Sequence, residues 1–169
     1  MDDLLRTTVW KQCGAAIDML GNAIRACPEQ VWGDRTKNPE YWYVAYHTIF
    51  WLDYYSSESV DGFTPPKPFG LEEMDPAGLL PDRVYSKEEL LIYLEYGRQK
   101  CRKAVLAMTD ENAHQNAGAK RPEVTNIELL LYSMRHIQHH AAQLNLMLRQ
   151  TIDDAPRWVT QTKSPLSCD

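Results

Sequence analysis

Apolar residues recur at three- and four-residue steps over four stretches of the chain, and a strict alternation of apolar and polar residues is absent. The first stretch runs from Leu4 to Ala26, where Leu5, Val9, Cys13, Ile17, Leu20 and Ile24 form one stripe before Pro28 ends the helix. The second, Pro39 to Ser57, reads PEYWYVAYHTIFWLDYYSS. Its aromatic density would suit a strand, but its length and lack of alternation predict a helix. Three phases of it are apolar, which calls for burial on most sides or an outer face at a subunit contact. The third begins at the capping-box pattern Ser86-Lys-Glu-Glu89 and continues to Met108, with Leu90, Leu94, Gly97, Cys101, Val105 and Met108 facing inward. The fourth begins at a second such pattern, Thr125-Asn-Ile-Glu128, and runs to Arg149 or Gln150.

Between the second and third helices, Val60 to Tyr85 carries Pro65, Pro66, Pro68, Pro76, Pro81 and three glycines. A segment this long without periodicity is a crossover strapped along the bundle or a functional loop. The expected fold is therefore all-α: a four-helix bundle over residues 1–150 with a long crossover between helices 2 and 3. Residues 151–169 form a polar tail, expected to dock partly through Trp158 and Val159.

Composition narrows the function. The 169 residues are 44% hydrophobic, enough for a real core, and carry a net charge of -5. An acidic chain without a Lys/Arg cluster has no electrostatic footprint for nucleic acid or an anionic membrane. No apolar run reaches membrane-spanning length, and Met1-Asp-Asp does not open like a signal peptide, so the expectation is a cytoplasmic protein. Of the cysteines, Cys13, Cys27 and Cys101 read as small core residues and Cys168 as a tail thiol. Cys13 and Cys27 would stand ~21 Å apart on one helix, too far to bridge.

Candidate chemistry lies in the histidines. His136 and His140 differ by ~40° around the fourth helix and ~6 Å along it, so both rings can reach one ion. They share a face with Leu129, Ser133, Gln143 and Met147. His139 lies toward the edge of that face, and His136 with His139 could also chelate. His47 sits in the aromatic second helix, where its ring nitrogens need partners. Taken singly, each is as readily a hydrogen-bonded core histidine. Three imidazoles on two facing helices match the way bundles build internal metal sites, and three neutral histidines with an open position suit catalytic zinc, nickel or iron. His114, in a polar loop, reads as a solvated surface residue.

One histidine in the second helix, a long spacer, then His136-x-x-x-His140-x-x-Gln143 in the last helix resembles the DinB-like superfamily. The resemblance implies a four-helix bundle with this crossover. It implies a divalent metal, usually zinc or nickel, held by His47, His136 and His140, with Gln143 in a supporting position. Activities known in that superfamily include thiol-dependent S-transferases and isomerases using a low-molecular-weight thiol, alongside loosely described metal-dependent hydrolases. Homodimers are common in it. The stretch Ala141-Ala142-Gln143 departs from the Arg-Gly-Gln of many relatives, which leaves the subfamily open.

The resulting expectation is a metal-dependent enzyme acting on a small electrophilic substrate. His139 would be a proton shuttle, because histidine side chains titrate near neutral pH. Tyr43, Trp51 and Tyr54 are candidates to wall the pocket or simply to fill the core. The alternative is a non-catalytic or stress-associated bundle in which the ion staples helices together. A structural zinc normally takes four protein ligands, which makes three histidines lean toward catalysis.

Overall fold

A computed structural model describes residues 2–167. Helix α1 spans Asp3–Ala26, α2 Glu29–Trp32, α3 Tyr41–Tyr55, α4 Lys87–Ala107, α5 Asp110–Ala113 and α6 Asn126–Ile152. Single 3-10 turns occur at Glu72–Met74 and Gly118–Lys120. Among the described residues no strand forms beyond one isolated bridge, Asn116 to Thr125. The long helices α1, α3, α4 and α6 are the four read from the apolar pattern, and no helix among the described residues is long and apolar enough to cross a membrane.

Local chemistry sets where the helices begin. The Glu89 N–H donates to Ser86 Oγ at 3.2 Å, while the Ser86 N–H donates to Glu89 Oε2 at 2.8 Å, closing the box ahead of α4. Thr125 and Glu128 make the same reciprocal pair ahead of α6. A third box, Thr109 with Asn112, starts α5. It ends in Asn instead of Glu or Gln and precedes no apolar run, so the sequence pattern hides it.

Each long helix packs on two others, in the ring order α1, α4, α3, α6, with α1 and α3 on a diagonal. Antiparallel packing of α1 on α4 brings Asp18 to Arg98 at 2.7 Å and Arg6 to the Met108 carbonyl at 3.0 Å. The crossover makes α3 and α4 parallel, so Asp53 meets Tyr93 and Ser57 meets Lys100. These two helices approach closely at Gly97, where a Cβ would stand 3.0 Å from Leu52 Cδ2. The crossover is an aromatic strap. Phe69 stacks on Tyr93 with ring centroids 4.3 Å apart and on Tyr46 at 6.0 Å, while Phe63 meets Tyr54 edge-on at 5.1 Å. That strap explains the three apolar phases of α3: Val44, Ala45, Tyr46, Ile49, Phe50 and Leu52 are all buried within this one chain.

Two expectations need correction, at Leu5 and at Trp158. Leu5 is 48% exposed at the first turn of α1, whereas the rest of that stripe is buried. On α6, Leu129, Ser133, Ile137, Ala141, Leu144 and Leu148 are buried, and His136 and His140 sit half-buried beside that stripe. The tail docks on α1, but Trp158 stays 66% exposed. Docking there is mostly polar: Thr162 N–H donates to the Lys11 carbonyl at 3.1 Å, and the Trp10 indole donates to the Ser164 carbonyl at 2.8 Å. Val159 is half-buried against the core. Cys13, Cys27 and Cys101 are buried free thiols, and Cys168 lies outside the described residues.

Candidate metal centre

His47, near the middle of α3, faces His136 and His140 on α6. Each of the three offers one ring nitrogen, and these atoms all lie within 4.8 Å of one another. Ring centroids are 5.2 Å apart for His47–His136, 4.9 Å for His47–His140 and 4.6 Å for His136–His140. All three side chains are half-buried, at the seam between α3 and α6.

The groups behind the rings fix which nitrogen faces the centre. Glu73, carried by the crossover, places Oε2 2.6 Å from His47 Nδ1. An ionised carboxylate only accepts, so Nδ1 carries the proton and Nε2 turns its lone pair inward. The same oxygen accepts from the Trp51 indole at 3.1 Å. Burial alone would raise the Glu73 pKa, but hydrogen bonding and charge from His47, with Tyr43 and Trp51 adding donors, hold it below its ordinary value. On the other helix, His140 Nδ1 donates to Gln143 Oε1 at 3.0 Å, which again leaves Nε2 free.

His136 supplies the test of fit. Its Nε2 lies 3.2 Å from His47 Nε2, while its Nδ1 is buried with no hydrogen-bond partner. If Nε2 holds the proton, the buried Nδ1 is an unmet acceptor; if Nδ1 holds it, two lone pairs face each other across the gap. A cation between the rings removes the second conflict. Two nitrogens 2.0–2.1 Å from a tetrahedral ion stand about 3.3 Å apart, close to what is found here. Burial, then the neighbouring His140 and His47, push the His136 pKa down to about 3. Burial also lowers His140, partly offset by its bond to Gln143. Neutral imidazoles are the form a metal takes.

The remaining candidates fall in different places. His139 is exposed, with its ring 4.9 Å from that of His140. With His136 and Trp158 it lines a cavity of about 620 Å³ between α1, α6 and the tail. Trp51 and the half-buried Tyr43 support Glu73, whereas Tyr54 packs among Trp51, Tyr55 and Phe63. His114 is exposed at the end of α5. Glu73 has no counterpart in the sequence reading. Its only signal was an acidic pair, Glu72-Glu73, inside a long crossover.

Fold and site together define a helical bundle with a three-histidine cluster that could hold a metal ion. The sequence profile of the DinB family matches residues 70–157, just over half of the chain, and the chain belongs to that family. The matched span contains Glu73, His136, His140 and Gln143 and begins after His47. No curated protein and no solved structure matched the chain.

Proposed function

We propose that this DinB-family chain is a divalent-metal-dependent enzyme that joins a small electrophile to a low-molecular-weight thiol or to water. The observation that carries this reading is the 3.2 Å approach of His136 Nε2 to His47 Nε2 beside the His140 ring, with the inner nitrogens of His47 and His140 set by Glu73 and Gln143. Zinc or nickel held by His47, His136 and His140 would keep its positive charge and an open position, supplying a thiolate or an acidified water as nucleophile. Glu73 holds the His47 ring and adds electron density to it, as carboxylates behind metal-binding histidines do. His139, exposed at the cavity that also reaches His136, accepts and releases the proton that accompanies the reaction. The substrate is a small molecule held against that cavity.

A second reading, an ion that only staples α3 to α6, draws on the nearly complete burial of Glu73, whose side chain the crossover turns inward to 3% exposure. Metal analysis of protein purified without a polyhistidine tag tests the shared step. Stoichiometric zinc or nickel is expected, and it is lost in His47→Ala and His136→Ala. Protein that holds neither metal and takes up neither on addition overturns both readings. Conjugation of model electrophiles with several thiols then separates them: activity that disappears with the metal selects the enzyme.

A further inference from the structure

At the far end of α3, Ser57 receives two ammonium groups. Lys100 Nζ donates to its Oγ at 2.6 Å and Lys120 Nζ donates to its carbonyl at 2.9 Å. Asp53, fully buried beside them, is already occupied: Lys100 pairs with Oδ1 and the Tyr93 hydroxyl donates to Oδ2 at 2.9 Å. Lys120 is half-buried and, among the described residues, makes no ion pair of its own. Burial, followed by repulsion from Lys100, pushes its pKa down.

Ser57, Lys100 and Lys120 line a cavity of about 790 Å³ between the end of α3, the start of the crossover, α4 and the start of α6. That volume is in the range of small-molecule sites. Phe63, Tyr96, Leu129 and Leu130 supply apolar wall, and Lys100 sits 5.5 Å from the Phe63 ring centroid and 5.4 Å from that of Tyr96. Glu58 and Asp61 also line the cavity, but both are exposed at its rim and neither pairs with Lys120 among the described residues. Lys103 is likewise exposed at the mouth. The site is separate from the histidines, since Tyr55, which lines it, lies eight residues or about 12 Å along α3 from His47.

We propose that this cavity binds a small organic carboxylate, anchored by the Lys120 ammonium and seated against the Phe63 and Tyr96 rings. A half-buried ammonium without an ion pair among the described residues matches one carboxylate, and the apolar wall favours a ligand with a hydrocarbon body over a bare inorganic anion. The inference is independent of the metal reading.

Benzoate is the probe, titrated into the full chain and followed by chemical-shift changes at the Phe63 and Tyr96 rings. Saturable shifts are expected, with affinity at least tenfold lower in Lys120→Met. The control Lys67→Met removes the same charge from an exposed crossover site and leaves affinity within twofold. Benzyl alcohol, the neutral analogue, binds at least tenfold more weakly than benzoate, and inorganic phosphate binds more weakly too. The wild-type shifts remain after treatment with a metal chelator, which separates this site from the histidines. Absence of saturable shifts, equal loss in both lysine variants, equal binding of benzyl alcohol, tighter binding of phosphate, or disappearance of the shifts with the metal would each overturn the proposal.

Discussion

Glu73 Oε2 lies 2.6 Å from His47 Nδ1, and the two residues come from segments that share no periodicity and stand 26 positions apart. The contact ties the crossover to the metal-binding candidate on α3. It also gives the crossover a task beyond covering apolar surface: the strap decides which nitrogen of His47 faces its neighbours.

That contact predicts a graded loss of metal affinity. Outer partners of ligating histidines typically govern 10–100-fold in affinity. Glu73→Ala should weaken zinc binding by ~100-fold, because nothing else among its neighbours accepts from His47 Nδ1. Glu73→Gln, which can still accept but carries no charge, should lose ~10-fold. Gln143→Ala should lose less than either, since Gln143 is neutral and half-exposed and water can take its place. Competition against a chromogenic chelator measures all three. An unchanged affinity in Glu73→Ala would remove the carboxylate from the site.

The tail offers a second test. A Cβ on Gly14 would stand 2.4 Å from Thr162 Cγ2 and 2.8 Å from Thr162 Cβ, so Gly14→Ala must displace the docked segment. The same change favours α1 by ~1 kcal/mol, because glycine weakens a helix interior. The expected result is a bundle of nearly unchanged or slightly raised Tm whose tail is cut several times faster by trypsin at Arg157 and Lys163. A cleavage rate equal to wild type would mean that Thr162 repacks without undocking.

How legible these features were in the sequence depends on how local their causes are. The starts of α4 and α6 were readable because each capping box lies within four residues of the apolar pattern it introduces. Helices α2 and α5, four residues each, are too short for any periodicity to register. The i, i+4 spacing put His136 and His140 side by side, on or beside the inward face. The core stripe of α6 runs through Ile137 and Ala141, and that choice is made by packing against α1 and α3. Thr162 was overlooked in favour of Trp158 because the tail docks largely by backbone and indole hydrogen bonds, which leave no hydrophobic trace. Glu73 was invisible because its position is set by the path of a crossover of some thirty residues.

The box ahead of α4 should give a small acid dependence of stability. A hydrogen bond from Arg83, then one from the Ser86 backbone, lowers the Glu89 pKa to about 2. A folded pKa below the unfolded value means that Glu89 contributes stability above pH ~4.5, and that this contribution fades as pH falls toward 2. Because the Arg83 pair is largely solvent-exposed, the contribution should stay under ~1 kcal/mol and shrink with added salt. Chemical denaturation of wild type and Glu89→Gln should show a gap at pH 7 that closes on acidification. A gap that widens toward low pH would contradict this assignment.

The sharpest energetic prediction concerns Asp53 and Lys100. Asp53 is fully buried, and Lys100→Met leaves its carboxylate with only the Tyr93 hydroxyl as a close donor. Breaking one side of a buried pair costs about 3–5 kcal/mol, equivalent to a Tm drop of roughly 10 °C in a chain of this size. Replacing both members, Asp53→Asn with Lys100→Met, should recover most of that loss, because no buried charge then lacks a partner. The single variant should also reach the cavity next door. With Lys100 gone, Lys120, which bonds Ser57 next to Asp53, should be drawn toward the bared carboxylate, so benzoate should bind more weakly to Lys100→Met. In the double variant Lys120 is released again and binding should return. A Lys100→Met protein as stable as wild type would mean that Asp53 is not held as an ion. Unchanged benzoate affinity in a destabilised Lys100→Met would show that the two lysines act independently.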